Sequence, residues 1–152
     1  MKIAIGNDHG GFELKKAIVV FLKEQDIEVI DVGTHKLLES GDYPDFAEMV
    51  AEKVAKNEVD SGILICGTGI GVSITANKIA GVRAAVVSDV FSAQATKEHN
   101  HANILCLGQR VIGEGLALMI VDTWLKTECS MDERHLRRIE KIHLIERREQ
   151  KN

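Results

Sequence analysis

Short apolar runs alternate with amphipathic stretches along nearly the whole chain. KIAIG at 2–6, IEVIDVG at 27–33, SGILICG at 61–67, VRAAVVS at 82–88 and ANILCLG at 102–108 are rich in Ile, Val, Leu and Ala. Runs of this length, broken by Gly, Asn and Asp, read as strands. Between them lie helical patterns. FELKKAIVVFLKEQ at 12–25 carries apolar residues at 14, 17, 18, 21 and 22, one stripe at helical spacing. Pro44 suits the first turn of a helix running to about residue 56, with Asp42 or Tyr43 just before it. IGVSITANKIA at 70–80, a stretch over roughly 89–98, and GEGLALMIVDTWLK at 113–126 continue the alternation. ERHLRRIEKIHLIERREQ at 133–150 closes the chain as a charged helix. Its stripe of Leu136, Ile139, Ile142 and Ile145 must pack on something.

Five apolar strands alternating with helices predict a parallel sheet covered on both faces, a three-layer α/β/α sandwich of Rossmann-like type with a C-terminal tail helix. The 152 residues suit one domain spanning 1–152, and the single proline, Pro44, marks no linker. In such sheets ligands gather at the carboxyl ends of the strands. The residues that follow each strand are therefore the candidates for a site.

Composition changes this picture little. The hydrophobic fraction of 45% and the charged fraction of 28% are those of an ordinary globular chain. A net charge of −4 argues against a nucleic-acid partner. From Arg134 to the end, seven Lys and Arg face three Glu, a basic tail on an acidic body. That suits an anion or an acidic surface, or simply a solvated helix face. Three cysteines without a CxxC predict neither a disulfide framework nor a zinc site, and point to a reducing cytoplasm. The opening MKIAIGNDHGG has no apolar segment long enough for a signal peptide, and no run approaches a membrane span.

Two strand ends carry chemistry. The first gives Asp8 and His9, in GNDHGG. The third gives Cys66 and a loop with Gly67, Gly69 and Gly71, in CGTGIG. Taken singly, Asp8 could be a helix cap and His9 an idle loop residue. The glycine loop lacks the Gly-Lys-Ser/Thr of a Walker loop and the spacing of a dinucleotide fingerprint. It still lets backbone N–H groups approach a phosphate or a developing oxyanion, beside a helix that starts near Ile70. A thiol at that place has its thiolate favoured and can act as base or nucleophile; otherwise it is a small buried hydrophobe. The latter reading suffices for Cys106 and Cys129. In EHNHAN at 98–103, His99 and His101 are two apart and do not share a helix face, so a metal site is not expected. Arg110, Arg134, Arg137 and Arg138 are candidate phosphate ligands, since the guanidinium fork bonds two oxygens.

DHGG at 8–11, DYP at 42–44, ICGTGIGVSITANK at 65–78, EHN at 98–100, LGQRVIG at 107–113 and RH-x-x-R at 134–138 together resemble the type B ribose-5-phosphate isomerases. The wider family includes allose-6-phosphate and galactose-6-phosphate isomerases. The resemblance covers nearly the whole chain in order. It implies interconversion of an aldose phosphate and a ketose phosphate with neither metal nor organic cofactor. It implies Cys66 as the base, and the loop Gly67, Thr68, Gly69, Ile70 and Gly71 as holder of the enediolate oxygen. His99 opens the sugar ring, and Asp8, Tyr43 and Asn100 contact hydroxyls. His9, Arg110, Arg134 and Arg138 bind phosphate. It also implies a homodimer or a dimer of dimers, with the C-terminal helix at a subunit interface.

Three departures stand out. His101 occupies a place where the family often has Asn or Asp, Asp132-Glu133 replace Gly-Gly before the RH pair, and the loop at 35–41 differs slightly in length. Ribose 5-phosphate is the expected substrate. A six-carbon sugar phosphate is the alternative, and a non-catalytic phosphosugar-binding module is the alternative of another class. One geometric expectation follows. His99 and Asn100 precede the fifth strand, whereas Cys66 follows the third. In a parallel sheet these are opposite edges, so a two-fold dimer is expected to share its sites.

Overall fold

The computed structural model describes residues 1–36 and 41–150. Five strands form one sheet: β1 (Lys2–Asn7), β2 (Glu28–Asp31), β3 (Ser61–Cys66), β4 (Ala84–Val86) and β5 (Ile104–Gly108). The order across the sheet is β2-β1-β3-β5-β4, and every pairing is parallel. The helices are α1 (Phe12–Glu24), α2 (Tyr43–Ala55), α3 (Ile70–Ala76), α4 (Val90–Asn100), α5 (Glu114–Lys126) and α6 (Glu133–Glu149), with a short 3-10 turn at His9–Gly11.

The near-continuous apolar runs of β1, β3 and β5 are explained by burial on both faces. Side chains alternate across the sheet. Ile63 and Ile65 of β3 join Ile3, Ile5, Leu105 and Leu107 against α1, α4 and α5. Leu64 and Cys66 turn the other way, with Ala4, Ile104 and Cys106, against α2 and α3. The expected three layers are present.

Two elements are four residues shorter than their patterns suggest. The helix expected over 70–80 stops at Ala76, because the Asn77 side chain leaves the helix to bond both the N–H and the carbonyl of Ala84, at 2.8 and 2.9 Å. The strand expected over 82–88 shrinks to Ala84–Val86, an edge strand paired with β5 alone. One helix is longer. α4 runs on through His99 and Asn100, past the end expected near residue 98, and it ends at His101 in the left-handed conformation (φ 49°). α6 matches its predicted span to within a residue. Of its apolar stripe only Ile139 is buried in the single chain, while Leu136, Ile142 and Ile145 stay exposed. The 35–41 loop length, noted as a departure, falls largely on 37–40, outside the described residues.

Candidate active site

Three loops meet at the carboxyl edge. After β1, buried Asn7 donates from Nδ2 to the Asp8 carbonyl at 2.7 Å, and Asp8 Oδ1 accepts the Gly10 N–H at 2.9 Å. Asp8 thus caps the 3-10 turn, the local duty its residue type suggested, while standing at the site edge. After β3, the Cys66 side chain is buried at 5% exposure and its Sγ accepts the Gly69 N–H at 3.1 Å. Gly69 reaches that position at φ 78°, a left-handed conformation costly for any residue with a Cβ. The N–H points its positive end at the sulfur. Thr68 is exposed, and its Oγ1 accepts the Ile70 N–H at 3.3 Å. After β5, Gln109 and Arg110 donate their N–H groups to the carbonyls of Cys66 and Gly67, both at 3.0 Å. Gln109 Oε1 also takes the Leu14 N–H at the start of α1, at 2.9 Å.

Close approaches complete this half. A Cβ at Gly67 would stand 3.3 Å from Arg110 Nη1, so the guanidinium lies over the loop. A Cβ at Gly71 would stand 2.7 Å from the Tyr43 ring, so that ring covers the start of α3. Asp8, His9, Tyr43, Cys66, Gly67, Thr68, Gly69, Ile70, Gly71 and Arg110 therefore belong to one edge.

His99, Asn100, Arg134 and Arg138 do not join them within the chain. β3 and β5 pair Gly62 with Ile104 and Cys66 with Gly108. At about 3.3 Å per residue, Ile104 lies ~13 Å along the strand from the level of Cys66, and His99 precedes even that point. The four residues form a second cluster at the amino edge, where α6 packs beside α4. A groove of about 830 Å³ opens there between α4, α6 and the α3–β4 turn, with Asn100, Ala84 and Ile145 in its walls. It does not include Cys66.

The sequence reading missed one member of this second cluster. His135, between the two candidate arginines, is buried and its ring lies 4.4 Å from that of His99 at a 42° tilt. Its Nδ1 has no hydrogen-bond partner among the described residues. The RH-x-x-R motif contained it, but only contact with α4 distinguishes it from a surface histidine. Burial, then the neighbouring His99 and Arg134, hold its pKa below the usual 6.5, with Arg138 adding and Asp132 opposing. The folded chain thus favours the neutral ring more than the unfolded chain does, and the unfolded chain takes up the proton more readily. The stability so gained is present above pH ~6.5 and is lost as pH falls below it. The melting midpoint is expected to drop between about pH 7 and pH 5, and to drop less in His135→Phe. Parallel profiles for the two proteins would dismiss His135 as the source.

Of the departures noted above, Asp132 Oδ2 stands 3.7 Å from Arg134 Nη2, both side chains being well exposed. Of the remaining thiols, Cys106 fits its plain reading: it is fully buried, and burial, with Cys66 nearby, pushes its pKa far up. Cys129 does not, for it stands only half-buried, outside the core. Among the described residues no group of three His, Cys, Asp or Glu is placed to hold a metal ion, and no helix is long and apolar enough to cross a membrane.

The similarity to known proteins extends over nearly the whole chain. A family model described as ribose/galactose isomerase matches residues 3–142. Ribose-5-phosphate isomerase B of Escherichia coli is 54% identical over 147 residues, covering 97% of each chain. The solved structure of ribose-5-phosphate isomerase B from Clostridium thermocellum superposes with a TM-score of 0.94 at 57% identity, over 97% of this chain and 99% of that one. The Mycoplasma genitalium ribose-5-phosphate isomerase B, solved with bound ribulose 5-phosphate, superposes at 0.92 with 46% identity over 96% of each chain.

Proposed function

The chain belongs to the ribose/galactose isomerase family, and on that premise we propose that it interconverts ribose 5-phosphate and ribulose 5-phosphate by proton transfer through an enediolate. The observation that carries this reading is the placement of Cys66. It stands buried at the end of a central strand, with the Gly69 N–H on its sulfur and Asp8, Tyr43 and Arg110 around the same loop. Isomerisation of an aldose to a ketose needs a base that takes the C2 proton and returns it to C1. It needs donors for the oxygen that becomes negative in between. It also needs cations that anchor the phosphate away from the reacting carbons.

In this reading Cys66 moves the proton, and the loop backbone of Gly67, Gly69, Ile70 and Gly71, with Thr68, holds the enediolate oxygen. Asp8, Tyr43 and Asn100 orient the hydroxyls. His9, Arg110, Arg134 and Arg138 hold the phosphate, and His99 protonates the ring oxygen as the sugar opens. The two edges come together across a symmetric dimer in which each subunit lends His99 and its neighbours to the other. The unpartnered apolar faces support this: α3 exposes Ile70 and Ile74, one turn apart, and α6 exposes Leu136, Ile142 and Ile145. No metal or organic cofactor takes part, and the setting is the cytoplasm.

The test is conversion of ribose 5-phosphate in the presence of a chelator, with allose 6-phosphate assayed alongside. Ribose 5-phosphate is expected to be turned over faster, at a rate indifferent to EDTA. Activity lost to EDTA and restored by one divalent metal would refute the metal-free mechanism. Binding of both sugars with turnover of neither would leave a phosphosugar-binding module.

A further inference from the structure

The last turn of α4 carries His99 and Asn100, and its free carbonyls have an unusual partner. A helix end leaves its final C=O groups without intrahelical donors. Here the N–H groups of His101 and Ala102 both return to the Thr96 carbonyl, which leaves the carbonyls of Asn100 and His101 turned outward. The Arg83 guanidinium takes both. Its Nε lies 3.1 Å from Asn100 O and 3.2 Å from His101 O, and its Nη2 lies 2.9 Å from His101 O. Nη1 donates to Nε2 of His143 on α6 at 2.9 Å. The Arg83 backbone is itself held, its N–H donating to Asn103 Oδ1 at 2.7 Å and its carbonyl accepting the Asn103 N–H at 3.0 Å.

A second tie runs beside the first. His101 Nε2 donates to the Ser130 carbonyl at 2.8 Å, and the Ser130 N–H donates to the Glu98 carbonyl at 2.9 Å. The segment so tied leads directly into α6, where His135 lies against the His99 ring. His101, one of the departures from the family pattern, thus has a definite task in this chain.

We infer that Arg83 is a positioning residue for His99 and Asn100: its guanidinium, bridging the α4 carboxyl end to His143, holds the turn that presents the ring-opening acid. Arginine suits the task because its planar fork meets several acceptors at once, and because its charge complements the negative end of a helix. Lysine offers one ammonium in place of the fork. Half-buried, Arg83 cannot be replaced by water on all of these acceptors at once.

The inference rests on the isomerase reading, and a double-mutant cycle tests it. Arg83→Lys is expected to lower kcat for ribose 5-phosphate about tenfold, with a smaller change in KM. It should leave the rate of Cys66 alkylation unchanged. In a His99→Ala background the same substitution is expected to cost less than about twofold, because the residue it positions is gone. The Cε1–H resonance of His99, identified by its loss in His99→Ala, should shift or split in Arg83→Lys. His143→Leu, which removes the Nη1 acceptor and the 3.7 Å contact of His143 Nδ1 with Glu140 but leaves Arg83 on both α4 carbonyls, should move that resonance and kcat in the same direction by less. Equal losses in both backgrounds, or an unmoved His99 resonance in both single variants, would overturn the inference. A wild-type chain that fails to convert ribose 5-phosphate would instead overturn the isomerase reading, and the resonance would still decide whether Arg83 positions His99.

Discussion

Cys66→Ala is expected to slow turnover of ribose 5-phosphate by about 10²–10⁴-fold, the usual contribution of a general base, with sugar-phosphate binding largely kept. The split follows from geometry. Cys66 points into the α2/α3 face of the sheet and meets the Gly69 N–H. The proposed phosphate ligands His9, Arg110, Arg134 and Arg138 sit on other elements, and removing one sulfur disturbs none of them. The cavity left is small, since alanine keeps the Cβ. Iodoacetamide is expected to inactivate the protein and a bound sugar phosphate to protect it. Cys106 does not confuse the experiment, because it is fully buried and its thiol is held protonated. Normal turnover by the alanine variant would end the assignment of Cys66 as the base.

Mixing Cys66→Ala subunits with His99→Ala subunits is expected to restore activity that neither variant has alone. All five strands are parallel, so Cys66 at the end of β3 and His99 before β5 stand at opposite edges. In a dimer with shared sites, a mixed pair holds one site with both defects and one with neither. Random exchange of equal amounts should bring back about a quarter of the wild-type activity, because half the dimers are mixed and half of their sites are intact. The readout is turnover after exchange, with mixed dimers verified by mass. If dimers exchange and the mixture stays as inactive as its parents, both residues serve the same subunit's site.

Much of the candidate site lies in local sequence because its parts are strand ends. DHGG and CGTGIG follow apolar runs whose direction is set by parallel pairing, so both motifs had to arrive at one edge. Arg110 was legible for the same reason, as the residue just past β5. His135 was not. Its character comes from the ring of His99, 36 positions earlier in the chain, and periodicity along α6 says nothing about which helix it will meet. Arg83 was hidden in the same way. It reads as a lone charge within the apolar run at 82–88, yet it closes the end of a helix formed later in the sequence.

Hydrophobic periodicity determined the layers, the number of strands and the parallel sheet, because burial on two faces demands continuous apolar runs and amphipathic helices. It also determined where the glycine loop and its thiol would stand. The tertiary structure alone decided the order β2-β1-β3-β5-β4, in which the third crossover leaves room for β5 beside β3. It decided that α3 would stop where the Asn77 side chain bonds β4, and that α4 would carry His99 and Asn100 to its final turn. The physical reason is common to all three. Periodicity records how much of each segment is buried, whereas strand order, helix ends and side-chain partners depend on hydrogen bonds between residues far apart in the chain, which no local pattern contains.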